Sequence, residues 1–299
     1  MEGIASWNHL KEPNMSSVGK KLEIGMVAKD WGRTPDVYLK RISDFGFSLC
    51  QLGGVSDSLL FGPDRNAHIA ALKREMAARN ITISALWIPF RGQTWGFGDG
   101  PATLGLVPEA TRAERMIRAC MTSQTASELG IDVLAAHVGF IPEEGNFYRR
   151  FIEDMRRFLE YCRNQGQTFI FETGMESVET LERFFRDLDM PNIGLNFDPA
   201  NLLIYNFDDP GILLDKLGRY VVNMHVKDGR RPTRPATLGS ETPVGEGDAH
   251  VADMIRRLYR EFGYTGPLVI EREIDESQQE PDIRKTTQLL EALRQELGV

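Results

Sequence analysis

QTFIFETGMESVETLERFFRDLDMPNIGLNFDPANL, residues 167–202, contains one complete unit of the fold. Its first six residues form an apolar run of strand length ending in an acid, Glu172. Residues 177–188 open with Ser177, a residue type suited to cap a helix, and continue without a breaker to Leu188. Residues 192–198 return to strand character and end in Asp198. Two short apolar runs joined by a helix cannot form a hairpin; the connection predicts two parallel neighbours.

The same alternation extends in both directions. Strands are expected at 21–27, 47–52, 81–88, 132–138, 221–226 and 267–272. Helix-like stretches follow Thr34-Pro35 up to Gly46, then span 109–130, 146–166, 248–263 and 281–298. In the third of these, Phe147, Phe151, Met155, Phe158 and Cys162 recur every three or four residues and form one apolar stripe. Eight strands alternating with helices predict a closed (β/α)8 TIM barrel, a single α/β domain over 21–299. A doubly wound open sheet is the second choice, weakened because no G-x-G-x-x-G follows the first strand. Residues 1–20 read as a polar N-terminal extension without the apolar centre of a secretory signal.

Charge and composition narrow the partners. A net charge of −8 argues against a nucleic-acid backbone as ligand. No run approaches the roughly 18 apolar residues of a membrane span. Cys50, Cys120 and Cys162 are scattered and no CxxC occurs, the pattern of a reduced, cytoplasmic protein.

In a barrel of this kind the chemistry lies at the C-terminal ends of the strands. Four consecutive strands end in or near Glu172, Asp198, His225 and Glu271. Side chains two apart share a strand face, so each caps a series expected to point inward. These series are Thr168–Ile170–Glu172, Gly194–Asn196–Asp198, Val221–Asn223–His225 and Pro267–Val269–Glu271. Three crowded carboxylates repel unless a cation lies among them, and three oxygens with one nitrogen suit Mn²⁺ or Mg²⁺, with Co²⁺ or Zn²⁺ as further choices. Glu273 shares the face of Glu271; Glu271 is preferred because it directly follows the apolar run.

The motifs FETG, NFDPANL, HVKDGR, PVGEGD and GYTGPLVIERE resemble those of the xylose isomerase-like sugar isomerase/epimerase family, which includes ketose 3-epimerases and inosose dehydratases. The resemblance runs from about residue 21 to the C-terminus and is strongest over 167–273. It implies a divalent metal held by Glu172, Asp198, His225 and Glu271. It also implies that Glu172 and Glu271 are the acid/base pair on the two faces of a small carbohydrate substrate. Arg231 stands where similar epimerases bind substrate, and Lys227 joins the substrate-binding set. Asn201 departs from the 3-epimerase branch, which has histidine there, and is also placed with the substrate. The implied activity is isomerisation or epimerisation by proton abstraction next to a carbonyl, through a metal-stabilised enediolate. Elimination by a lyase or dehydratase on a keto-sugar or keto-inositol is the alternative, since the same site serves both.

Further residues extend this reading. His137 ends the inward series Val133–Ala135–His137 and could act as a base or bind a substrate oxygen. The loop 87–101 offers Trp87, Phe90, Trp95 and Phe97 among glycines, suited to packing on a sugar face and to lid movement. Arg230, Arg231 and Arg234 could pair with a phosphate or carboxylate. GEGD, 245–248, is expected to set a turn, with Asp248 capping the next helix. Two other classes remain: a repair endonuclease, disfavoured by charge and too few rim histidines, and a non-enzymatic binding protein. Association into a homo-oligomer is a further expectation.

Overall fold

A computed structural model describes residues 22–299. The polar extension expected over 1–20 lies outside the described residues. Eight parallel strands close into a barrel: β1 (Ile24–Lys29), β2 (Leu49–Gly53), β3 (Thr82–Trp87), β4 (Val133–Ala136), β5 (Thr168–Glu172), β6 (Ile193–Phe197), β7 (Val221–Val226) and, last in the chain, β10 (Leu268–Ile270). Pairing of Ile24 with Leu268 joins the two ends of the sheet and excludes the open doubly wound arrangement. Between β7 and β10 the chain forms an antiparallel hairpin, β8 (Asp228–Arg230) and β9 (Ser240–Thr242), where the sequence suggested only a loop.

The helices are α1 (Pro35–Asp44), α2 (Arg65–Arg79), α3 (Gly100–Thr103), α4 (Glu109–Leu129), α5 (Gly145–Asn164), α6 (Val178–Leu188), α7 (Pro199–Ile204), α8 (Pro210–Leu217), α9 (Val251–Phe262) and α10 (Glu280–Leu297). The α5 stripe is buried as expected, from Phe151 through Met155 and Phe158 to Cys162. The Ser177 hydroxyl accepts the Thr180 backbone N–H and starts α6. The sequence reading did not assign α2, because only Ile69 and Leu72 of that helix are buried and its apolar stripe is faint. It also passed over α7 and α8, two short helices opened by Asp-Pro pairs whose aspartates accept first-turn N–H groups.

Asp248 does not cap α9; His250 occupies that position with a left-handed backbone. The GEGD segment instead wraps the buried Asp228 carboxylate, which accepts the N–H groups of Gly245, Gly247 and Ala249. A buried carboxylate holding several N–H donors fixes the backbone more firmly than an exposed cap.

Two apolar layers enclose the strands. The larger lies between strands and helices. The smaller fills the lower barrel with Ala85, Val133, Ala135, Ile170 and Val222. Val222 corrects the expected inward series on β7: a register shift against β6 turns Val222 inward and leaves Val221 in the outer layer. Gly194 makes the shift possible, since a Cβ there would lie 2.5 Å from Val222 Cγ2. Asn223 and His225 still reach the interior, so the slip realigns the base of the strand and spares its functional end.

Candidate metal centre and active site

Above the lower apolar layer lies a layer of amides. Asn196 is its hub: its Nδ2 donates to Glu172 Oε2, and its Oδ1 accepts Asn223 Nδ2 at 2.5 Å. Two side chains meet His225 Nε2: Gln51 Oε1, on β2, an acceptor, and Asn196 Nδ2, a donor, at 3.1 Å. The shorter contact, to Gln51, favours the proton on Nε2. With its proton on Nε2, a neutral His225 presents the Nδ1 lone pair to the space above.

Nδ1 faces three carboxylates, at 3.1 Å from Glu172 Oε1, 3.2 Å from Glu271 Oε2 and 3.6 Å from Asp198 Oδ2. One ligand atom from each of the four residues lies within 4.8 Å of the others, and all four residues are buried. Asp198 divides its duties. Oδ1 accepts the Asn201 backbone N–H at the start of α7, whereas Oδ2 has no hydrogen-bond partner. His225 Nδ1 is also without one. Two buried, unsatisfied ligand atoms converging on one point with two more carboxylates fit a divalent cation. The four predicted ligands are therefore brought together, and Glu271 rather than Glu273 completes the set.

The electrostatics follow from burial and crowding. Burial, with the charges of Asp198 and Glu271 adding to it, raises Glu172 to about 7 against the pull of His225. Burial also pushes Glu271 upward, but Lys227, His225 and Lys29 outweigh it and hold that carboxyl well below its usual range. Burial alone would strip the proton from His225; Glu172 and Glu271 reverse this and raise it well above the ordinary imidazole value. The cluster thus attracts positive charge strongly, as a cation site must.

Lys227, fully enclosed, lies 3.2 Å from Glu271 Oε2 and 3.2 Å from Asn201 Oδ1, and also bonds Glu273. Asn201 Nδ2 donates to Glu172 Oε1 at 3.2 Å. Asn201 and Lys227 are therefore positioned to orient the two glutamates, and both also border the cavity.

That cavity measures about 440 Å³ and opens at the C-terminal end of the barrel. Trp87, Trp95 and His137 line one side. His137 lies edge-on between the two indoles, with ring centroids 5.5 Å from Trp87 and 5.1 Å from Trp95. Burial, reinforced by Lys227, lowers its pKa to about 3, so it is neutral at physiological pH. Its Nδ1 is buried without a partner.

Arg231 is not brought to the cavity. Its guanidinium turns outward to Asn206 Oδ1 and the Asp208 carbonyl, because the hairpin redirects the chain after Gly229. Arg230 likewise bonds the Glu246 carbonyl. The basic segment thus braces surface loops. Phe90 is buried beneath Arg115 and belongs to the scaffold.

The aromatic loop is fastened at its base. Buried Arg115 donates to the carbonyls of Gly105 and Arg91, and Arg112 donates to those of Leu106 and Val107. The N–H groups of Leu106 and Val107 both bond the Val138 carbonyl. Gly105 has φ +63°, and a Cβ there would lie 2.1 Å from the Val138 carbonyl carbon. Gly105→Ala is expected to lower unfolding free energy by at least about 2 kcal/mol, from overpacking and left-handed strain together. Urea denaturation checks this; an unchanged midpoint would show that the loop is not fastened here.

The sequence reading missed Gln51, Lys29 and Trp31. A polar residue inside the apolar run FSLCQL was the available signal for Gln51. Trp31 had none; it stands on the loop after β1, 64% exposed, with φ +46°. A bulky residue in that conformation carries strain of about 1–3 kcal/mol.

A closed parallel barrel with a buried acid-and-histidine cluster at its C-terminal rim defines a TIM barrel whose rim could hold a metal ion. The xylose isomerase-like TIM barrel family model matches residues 39–295, and the chain belongs to that family. A xylose isomerase domain protein from Planctomyces limnophilus is 31% identical, with a TM-score of 0.86 over 93% of this chain and 99% of its own. A D-tagatose 3-epimerase-like protein shares the fold at 18% identity and TM-score 0.69, over 93% of this chain and 98% of its own. So does 3-keto-D-glucoside 4-epimerase YcjR from E. coli, at 13% identity and TM-score 0.68, over 91% and 100%. No curated protein matches the chain significantly. Among the described residues no helix is long and apolar enough to cross a membrane.

Proposed function

We propose that this protein is a divalent-metal-dependent sugar isomerase or epimerase that moves a proton on a carbon next to a carbonyl. The observation that carries the reading is the placement of Glu172 and Glu271. They converge on the same cluster from strands three positions apart in the closed ring of eight, their ligand atoms within 4.8 Å of each other, and both border the cavity, so a substrate held there meets both carboxylates. The epimerases that share the fold support the same class of chemistry.

A divalent ion held by Glu172, Asp198, His225 and Glu271 supplies Lewis-acid stabilisation of negative charge on neighbouring oxygens. Mn²⁺ and Mg²⁺ suit the oxygen-rich donor set best. The chain's own residues do the rest. In one direction Glu271, held ionised, takes the proton from carbon, the C–H pair forms the new C=C bond and the carbonyl π pair moves onto oxygen to give an enediolate. Glu172, the carboxyl with the raised pKa, returns a proton to the opposite face of the same carbon, which inverts it; return to the neighbouring carbon isomerises instead. The reverse reaction exchanges the two roles. Asn201, Asn196 and Lys227 hold the carboxylates in place. Trp87 and Trp95 exclude water from one side, and His137 offers its free Nδ1 to a substrate hydroxyl.

A second reading, β-elimination by a lyase or dehydratase, is favoured by His137 itself. A neutral, unpartnered imidazole beside the cavity can accept a proton that the glutamates do not. Proton NMR in D₂O with ketoses and oxidised glycosides separates the two. Deuterium entering one carbon without loss of a substituent supports the first reading, and release of water or alcohol supports the second. Chelation with EDTA is expected to reduce exchange to background, with Mn²⁺ or Mg²⁺ restoring it. Exchange that survives complete metal removal would overturn the metal-dependent mechanism.

A further inference from the structure

The cavity has two halves of different chemistry. The inner half is polar, with the acid cluster, His137 and Asn201. The outer half is bounded by Trp31, Trp95, Ile204, Tyr205 and Leu238. Three of these expose much of their apolar surface: Trp31 at 64%, Trp95 at 49% and Leu238 at 40%. At about 440 Å³ the whole space exceeds what one six-carbon ring fills, and it falls within the roughly 300–1,000 Å³ common for ligand pockets.

Its charge is unsuited to a phosphate. Glu172, Glu241, Glu271 and Glu273 border it, against only Lys29 and Lys227. Both lysines are engaged, Lys29 with Glu271 at 3.6 Å and Lys227 with Glu271, Glu273 and Asn201. Among the described residues no arginine borders this cavity.

We propose that the outer half is a second subsite, and that the substrate is an unphosphorylated keto-sugar glycoside. Its keto ring lies over the acid cluster, and the ring joined through the glycosidic oxygen packs against Trp31 and Leu238. The inference deepens the proton-transfer reading and rests on it for the inner ring alone. Trp31 is the central observation. Its exposure and its left-handed backbone both oppose folding, yet its position is built in. Its N–H bonds the Gly54 carbonyl at 2.8 Å, and its indole lies so close to Gly54 that a Cβ there would sit 2.5 Å from Cδ1. Lys29 and Arg33 flank the ring at 5.9 and 5.6 Å. An aromatic face fixed before the ligand arrives loses little freedom on binding, so a ring stacked on it gains affinity. Leu238 comes from the hairpin loop, held in place by the Gly239 N–H bond to the Ile204 carbonyl at 2.7 Å.

The test uses the metal-loaded full chain with four probes: methyl and phenyl β-D-glucosides carrying one ring ketone, D-fructose, and D-fructose 6-phosphate. Deuterium exchange gives kcat/KM for each. The phenyl glucoside is expected to exceed the methyl one by about ten-fold, with fructose 6-phosphate below fructose. Trp31→Ala is expected to bring the phenyl-to-methyl ratio to about two-fold or less, and Trp31→Phe to retain most of it. Equal rates for the two glucosides, a ratio unchanged in Trp31→Ala, or faster turnover of the phosphate would each overturn the subsite. Calorimetric binding of the unoxidised phenyl and methyl glucosides reads the same ratio without chemistry. If no probe exchanges, the proton-transfer reading fails, while the binding ratio still decides the subsite.

Discussion

Replacing His225 with alanine is expected to weaken divalent-metal binding by at least about 100-fold. His225 is the one nitrogen in the cluster, and its Nδ1 faces all three carboxylates. Losing only an outer partner of a metal ligand typically costs roughly 10–100-fold, so losing the ligand itself costs more. Gln51→Leu supplies the comparison: it removes the acceptor for His225 Nε2–H and so frees the tautomer, with an expected loss inside that 10–100-fold range. Elemental analysis after dialysis against Mn²⁺, with calorimetry for affinity, measures both. A His225→Ala protein that binds Mn²⁺ as tightly as wild type would mean that the cluster is not a metal centre. The three carboxylates would then be a buried ion-pair network around Lys227.

Glu172→Gln is expected to lower solvent-proton exchange into substrate by roughly 10²–10⁴-fold, the usual contribution of a positioned acid or base. The amide keeps an oxygen where Glu172 Oε1 stood but cannot carry the proton. Metal content must therefore be measured on the same sample. Exchange lost with metal retained identifies Glu172 as a proton carrier. Loss of both reduces it to a ligand, and retention of both removes it from the mechanism. Glu271→Gln is the partner experiment. It also leaves Lys227 with Glu273, Asn201 and, at 3.6 Å, Asp198, but without the nearer buried carboxylate at 3.2 Å, so its stability should be compared alongside.

These expectations rest on residues that were readable to different degrees. Glu172, Asp198, His225 and Glu271 could be found because strand alternation and the barrel's polarity are local rules: a residue at the C-terminal end of an inward-facing series has one place to go. His137 follows from the same rule. Arg231 does not, because it lies past the end of its strand, where the hairpin decides its direction. A hairpin of two three-residue strands in a segment rich in arginine, proline and glycine carries almost no periodic signal. The anchoring of the aromatic loop was hidden for a related reason. Arg112 and Arg115, on α4, hold the chain at Arg91 and at 105–107 through bonds to backbone carbonyls that no sequence spacing announces.

By itself, then, the sequence determined the alternation of eight strands with helices, the closed barrel as the best arrangement, and the four residues that meet at its rim. Those features depend on period and on strand ends, which are properties of neighbouring residues. Tertiary structure alone decided the register slip at Val222, the hub role of Asn196, the contact of Gln51 with His225 Nε2, and the placement of Trp31 at the mouth. Each of these depends on contact between segments far apart in the chain, where the controlling variable is the distance across the barrel rather than the order of residues along it.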